Sequence, residues 1–299
     1  MPLLITPAQL DDLGSATTHI LDVRWRLGRS TGRREYLAGH IPGAVYVDLE
    51  TQLAGSASTT AGRHPLPEVD DLQAAARSWG INDGDTVVVY DDVSNLSAAR
   101  AWWLLRYAGI GDVRVLDGAL PAWTAAGFPL ERRAVVVSPG SVTLSYGHLP
   151  LIDIDAAAAW PGHGVLLDAR AAERYRGQLE PIDTKAGHIP GAVSAPGTET
   201  LDESGRFLPP AVLRARFLAL GVTPGSEAHD GEPDVAAYCG SGVTAAHTVL
   251  ALAVAGFDAA LYAGSWSQWS SRPGRAVATG PAPGRAGGPG AGRATDSRQ

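Results

Sequence analysis

"AGHIPGAV" stands at residues 38–45 and recurs, letter for letter, at 186–193 of a 299-residue chain, an interval of 148. Three further pairs keep nearly that interval and the same order. "LDVR" (21–24) pairs with "LDAR" (167–170), "VVVYD" (87–91) with "VAAYC" (235–239), and "LDGALPAW" (116–123) with "YAGSWSQW" (262–269). One shared octapeptide can arise by accident; four ordered landmarks mark a duplicated domain. The period far exceeds a solenoid unit, so the chain reads as two domains and not as a repeat array.

Each half alternates short apolar strands with helical runs. In the second half "GVLLDAR", "DVAAY" and "AALYAG" read as strands. Residues 208–221 and 243–256 read as helices, closed by Gly221 and Gly256. The first half offers "HILDVR", "TVVVYD" and "VRVLDG" as strands, with "VDDLQAAARSWG" and "LSAARAWWLLRYAG" as helices. Strand–helix alternation with continuously apolar strands predicts an α/β fold, each domain a mainly parallel sheet flanked by helices. The expected boundaries are 1–134 for the first domain, 135–150 for a linker and 151–280 for the second domain. Residues 281–299, rich in Gly, Pro, Ala and Arg, read as a disordered tail.

Composition narrows the function classes. Hydrophobic residues make up 45% and charged residues only 18%, with net charge −7. A nucleic-acid partner needs a basic surface, so none is expected. No stretch reaches the roughly 18 apolar residues that span a bilayer, and the N-terminus lacks a basic, then apolar, leader. A single cysteine permits no internal disulfide. A reducing, cytoplasmic setting is the expectation.

That cysteine, Cys239, closes a strand and precedes a helix by about one turn, in "AYCGSGVTAAH". The carboxyl end of a parallel strand is where α/β sheets bind ligands. Gly240 and Gly242 permit a bend that turns successive N–H groups inward, and the helix adds its positive end. Both favour thiolate over thiol, which makes the sulfur a nucleophile. A buried structural cysteine would look similar in isolation. The duplication weighs against that, because the equivalent position in the first half is Asp91. Packing alone would call for an apolar twin; a nucleophile facing a carboxylate suggests one active domain and one degenerate copy. A cysteine phosphatase would carry arginine six positions on, where Ala245 stands. Lone thiol chemistry offers too few ligands for a metal. His247 reads as a helix histidine of structural use.

Taken together, the doubled "GHIPGA", the "LDAR" strand end, the "YCGSGVTA" loop and "GSWSQW" resemble the tandem-domain rhodanese family over residues 5–280. The resemblance implies two rhodanese-like domains with the active cysteine in the second. It also implies a sulfane sulfur carried as a Cys239 persulfide from a small-molecule donor to a thiol acceptor, such as thioredoxin or a low-molecular-weight thiol, or to cyanide. No metal or organic cofactor is implied. Members preferring mercaptopyruvate have a loop like Cys239, Gly240, Ser241, Gly242, Val243, Thr244; members preferring thiosulfate carry cations after the cysteine. The resemblance therefore points to 3-mercaptopyruvate as donor with thiosulfate poorer. A thiosulfate:cyanide enzyme and a non-catalytic binding or sensing module stand as alternatives. Ser241 is expected to relay a proton. Arg174 is expected to hold the donor carboxylate. The family's second arginine before "GHIPG" is missing, and Lys185 is the expected substitute. From the first half, Glu50 or Asp48 is expected to complete the relay and His64 to touch the substrate. His40 and His188, present in both halves, are expected to be structural.

Overall fold

The computed structural model describes residues 2–14, 17–223 and 233–284. The first half carries β1 (Leu4–Ile5), β2 (Thr18–Asp22), β3 (Val45–Tyr46), β4 (Thr86–Tyr90) and β5 (Asp112–Leu116). The second carries β6 (Leu151–Ile152), β7 (Val165–Asp168), β8 (Val193–Ser194), β9 (Val235–Tyr238) and β10 (Ala260–Tyr262). Sheet order is β1-β5-β4-β2-β3 in one half and β6-β10-β9-β7-β8 in the other. Every pairing is parallel. The two sheets thus share one order, as a duplication requires. Central strands β4 and β9 are buried on both faces, which is why they read as unbroken apolar runs and not as alternation.

The repeated motifs are explained by their contacts with one another. At the end of β2, Asp22 accepts from Tyr90 Oη at 2.6 Å and from the Arg24 guanidinium, which also donates to Gly39 O. In the second half Asp168 accepts from Tyr238 Oη at 2.6 Å and from Arg170, which also donates to Gly187 O. Each tyrosine oxygen accepts in turn from the isoleucine N–H of "HIPG", Ile41 or Ile189, at 3.1 Å. His40 Nδ1 bonds Tyr36 O and His188 Nδ1 bonds Tyr175 O, both at 2.8 Å. Each imidazole also stacks on that tyrosine's ring. The "LD-x-R", "GHIPG" and strand-end tyrosine motifs therefore form one buried polar knot, built twice. Both histidines belong to that knot; His188 Nε2 also bonds Pro283 O at 3.2 Å, whereas His40 Nε2 is buried with no hydrogen-bond partner among the described residues.

The helix Ala98–Tyr107 packs against its counterpart Val243–Val254, joining the halves through one continuous apolar core. The helices expected at 208–221 and 243–256 run over Pro210–Ala219 and Val243–Val254. Gly221 and Gly256 follow them with φ near +90° and +80°, the left-handed turn that stops a helix. Residues 135–150 carry no helix or strand. They lie along the first half, with Arg77 Nε donating to Val142 O and Tyr146 Oη to Pro67 O. Residues 281–284 run against the second half, where Gly191 N–H donates to Pro283 O at 2.6 Å. The rest of the expected tail, 285–299, lies outside the described residues. Among those described, no helix is long and apolar enough to cross a membrane.

Candidate active site

Four residues, Cys239–Gly242, join β9 to the helix Val243–Val254. Gly242 has φ +81°, and a Cβ there would lie 2.3 Å from Ala263 O, so only glycine fits. Its N–H donates to Cys239 Sγ at 3.2 Å. The landmark "GSWSQW" holds this bend from the next strand end. Cys239 N–H donates to Ser265 Oγ at 3.1 Å, Trp266 N–H to Cys239 O at 2.9 Å and Ser267 N–H to Gly240 O at 2.9 Å. In the first half Leu120 N–H likewise donates to Asp91 O at 2.9 Å.

The Asp91 turn shows what such a bend can hold. Its carboxylate, fully buried, accepts from Val93, Asn95, Ser97 and Ala98 N–H and from Ser97 Oγ, at 2.8–3.1 Å. Backbone donors converge on an anion there, as in other nests at helix starts. Cys239 occupies the equivalent place in the second half.

In front of Cys239 lies a cavity of about 300 Å³ between the two halves. Gly240, Ser241, Val243, Thr244 and Arg174 line it, Gly242 does not, and Trp25 and Arg63 from the first half line it too. Arg63 is a residue the sequence reading did not single out. A Cβ on Gly240 would sit 3.2 Å from Arg63 Nη2 and 3.4 Å from Arg174 Nη1, so two guanidinium groups flank the residue after the cysteine. Arg174 donates to Glu180 at 2.7 Å and to Asp183 at 3.1 Å, and Arg63 pairs with the other oxygen of Asp183. Arg63 Nε is buried with no partner among the described residues. The signal for Arg63 was present in "GRHPLP", one position before His64.

Lys185 lies elsewhere. Its Nζ donates to Arg272 O at 3.4 Å, its carbonyl accepts from Trp266 Nε1, and it does not line the cavity. Arg63, coming from the other domain, lines the cavity where Lys185 does not. Asp48 is also placed apart: its Oδ1 accepts from Glu50 N–H and caps the short helix Leu49–Gln52.

His64 does not line the cavity; it stands behind Ser241. His64 Nδ1 is 2.8 Å from Ser241 Oγ, and His64 Nε2 is 3.3 Å from Glu50 Oε2. Trp25 Nε1 donates to Glu50 Oε1 at 2.7 Å and its ring meets the imidazole edge-on. His64 is 3% exposed. Burial holds its imidazole below the ordinary histidine value, with Glu50 pulling the other way. A carboxylate, an imidazole and a hydroxyl thus form a chain that crosses the domain boundary and ends two residues from the thiol. Such a chain can deliver or remove a proton beside the sulfur.

Comparison with known proteins bears on the family and the fold. A rhodanese-like domain model matches twice, over residues 6–126 and 153–272. A putative thiosulfate sulfurtransferase of Mycobacterium tuberculosis, SseB, is 46% identical over 285 residues, 94% of this chain and 98% of that protein. A probable 3-mercaptopyruvate sulfurtransferase of Pseudomonas aeruginosa is 46% identical over 270 residues, 87% and 92% of the two chains. The crystal structure of the 3-mercaptopyruvate enzyme SseA from Escherichia coli superposes with TM-score 0.75 at 32% identity, covering 89% of this chain and all of that one. With the fold doubled, the motifs doubled and both halves matched, the chain belongs to the rhodanese family.

Proposed function

We propose that this protein is a sulfurtransferase that takes sulfur from 3-mercaptopyruvate onto Cys239. The observation that carries this reading is the Glu50–His64–Ser241 chain beside the thiol. Cys239 thiolate attacks the donor's thiol sulfur. A sulfur–sulfur bond forms, the carbon–sulfur bond breaks, and its electron pair moves onto the donor's enolate. Protonation of that carbon, with the proton arriving through Ser241 and His64, gives pyruvate and a Cys239 persulfide. An acceptor thiol, a small thiol or reduced thioredoxin, then attacks the outer sulfur and releases the Cys239 thiolate. A reducing compartment such as the cytoplasm suits a thiol that must be regenerated each cycle.

Charge around the cavity favours this donor. Arg63, Arg170 and Arg174 face Asp168, Glu180 and Asp183, three cations against three anions. A balanced ring offers a single carboxylate the free edges of Arg63 and Arg174 but gives a dianion little net attraction. Thiosulfate, named for the mycobacterial relative, is the second reading, favoured by those same arginines. Catalytic efficiency on the two donors separates them. A non-catalytic module would have no use for a thiol at the end of a proton relay.

Intact-mass measurement after feeding 3-mercaptopyruvate tests the main reading. The wild type should gain one sulfur at Cys239 and release one pyruvate. Ser241→Ala and His64→Gln should lower kcat by about 10²–10⁴-fold, the usual worth of a positioned proton donor. Pyruvate release that survives in Cys239→Ser would refute the mechanism.

A further inference from the structure

Arg100 is fully buried in the helix Ala98–Tyr107 of the half that lacks the cysteine. All of its recorded hydrogen bonds go to backbone carbonyls. It donates to Leu53 O (3.3 and 3.2 Å from Nε and Nη2), His64 O (3.1 Å), Pro65 O (3.1 Å) and, across the boundary, Gly242 O (3.4 Å). No carboxylate pairs with it among the described residues. A buried charge without a counter-charge is costly, so such residues are normally paired. Burial pulls its guanidinium down to about 10, which leaves it protonated at neutral pH. The groups able to offset it with negative charge are Cys239 and Tyr146. Tyr146 is pushed up to about 12, so its hydroxyl stays neutral.

We propose that Arg100 is a positioning residue for the sulfur-transfer site: it clips the His64 segment of one domain to the Cys239 loop of the other and serves as counter-cation for the anionic sulfur. The two roles share one geometry. The carbonyls it gathers belong to His64, which bonds Ser241, and to Gly242, whose N–H donates to Sγ. Other charged groups line the same cavity or stand behind Ser241. Arg63 and Arg174 flank Gly240 but are tied to Asp183 and Glu180, and His64 is tied to Glu50. Arg170 is tied to Asp168. Arg100 is the cation in this group that has carbonyls alone for partners. The proposal rests on the sulfurtransferase reading for the identity of the anion, but its first test does not need turnover.

The test measures the pH-dependence of Cys239 alkylation by iodoacetamide, read by intact mass, in the wild type, Arg100→Met and Arg100→Lys. Thermal unfolding serves as the folding control, and kcat and KM on 3-mercaptopyruvate are measured alongside. Removing the charge should move the alkylation midpoint of Arg100→Met up by about one pH unit, so that alkylation below both midpoints is about tenfold slower. Its kcat should fall at least tenfold, and Arg100→Lys should restore the alkylation profile. A folded Arg100→Met with the wild-type profile would overturn the proposal and leave a merely structural residue. If the methionine variant does not fold, the lysine variant decides. A profile on the wild-type curve with reduced kcat supports the proposal; a profile displaced by a unit, or a wild-type kcat, overturns it. A wild type that takes no sulfur from any donor, yet shows the Arg100-dependent alkylation profile, would sink the sulfurtransferase reading alone.

Discussion

Acid should loosen the helix behind Cys239, and the cause is His247. The residue is fully buried on the helix Val243–Val254, its ring stacked on Phe207 with centroids 4.7 Å apart. Burial pulls its imidazole down to about 4 from the ordinary 6.5. The sign follows from which state takes the proton first. The unfolded chain protonates near pH 6.5, the folded one only near 4, so stability is full above 6.5 and lost as pH falls toward 4. Between pH 7 and pH 4.5 the difference in proton binding amounts to about 2.5 kcal/mol, at about 1.36 kcal/mol per unit of separation. Urea unfolding of the wild type and His247→Leu at pH 7, 5.5 and 4.5 measures it. Other acid-sensitive groups, including His64, are common to both proteins and drop out of the comparison. The leucine variant should lose about 2.5 kcal/mol less than the wild type over that range. Equal losses would show that His247 does not titrate as a buried neutral imidazole.

Three further outcomes follow from the site and its copy. Gly242→Ala should cost about 2 kcal/mol or more in stability, since it places a Cβ in a left-handed conformation against Ala263 O. Turnover in that variant should fall by at least tenfold, with a wild-type rate counting against the cradle role of its N–H. Arg63→Ala should raise KM for 3-mercaptopyruvate by about 10–100-fold, the worth of a charge-assisted contact of about 1.5–3 kcal/mol, while Lys185→Ala leaves KM unchanged in the same steady-state assay. Asp91→Asn should destabilise the first half by about 2–3 kcal/mol, because its amide cannot accept from donors on both sides of the carboxylate. Differential scanning calorimetry reads the loss, and turnover at 25 °C should persist.

Much of this was legible because the chain carries its own comparison. The duplicated landmarks located two parallel sheets, and the contrast of Cys239 with Asp91 pointed to the half on which the proposed chemistry rests. Local pattern also sufficed for the loop, since Gly242 and the helix after it are neighbours in sequence. Arg63 and Arg100 were not found, for different reasons. Arg63 reaches the cysteine across the boundary between the halves, 176 positions away in sequence (239 less 63), and no periodicity encodes that approach. Arg100, inside the apolar run "AARAWWLL", did leave a trace: a charge on an otherwise buried helix face wants an explanation. Lys185 was sought by proximity in sequence, whereas the fold turns its ammonium to Arg272 O.

The Asp91 turn has a bearing on what the Cys239 loop is built to hold. It is a version of the cysteine loop in which five donors close on one carboxyl group. At Cys239 the matching turn aims the Gly242 N–H at the thiol. The protein thus carries two copies of one strand-to-helix turn, and the copy at Asp91 shows that this turn can aim several donors at a single side chain placed where Cys239 stands.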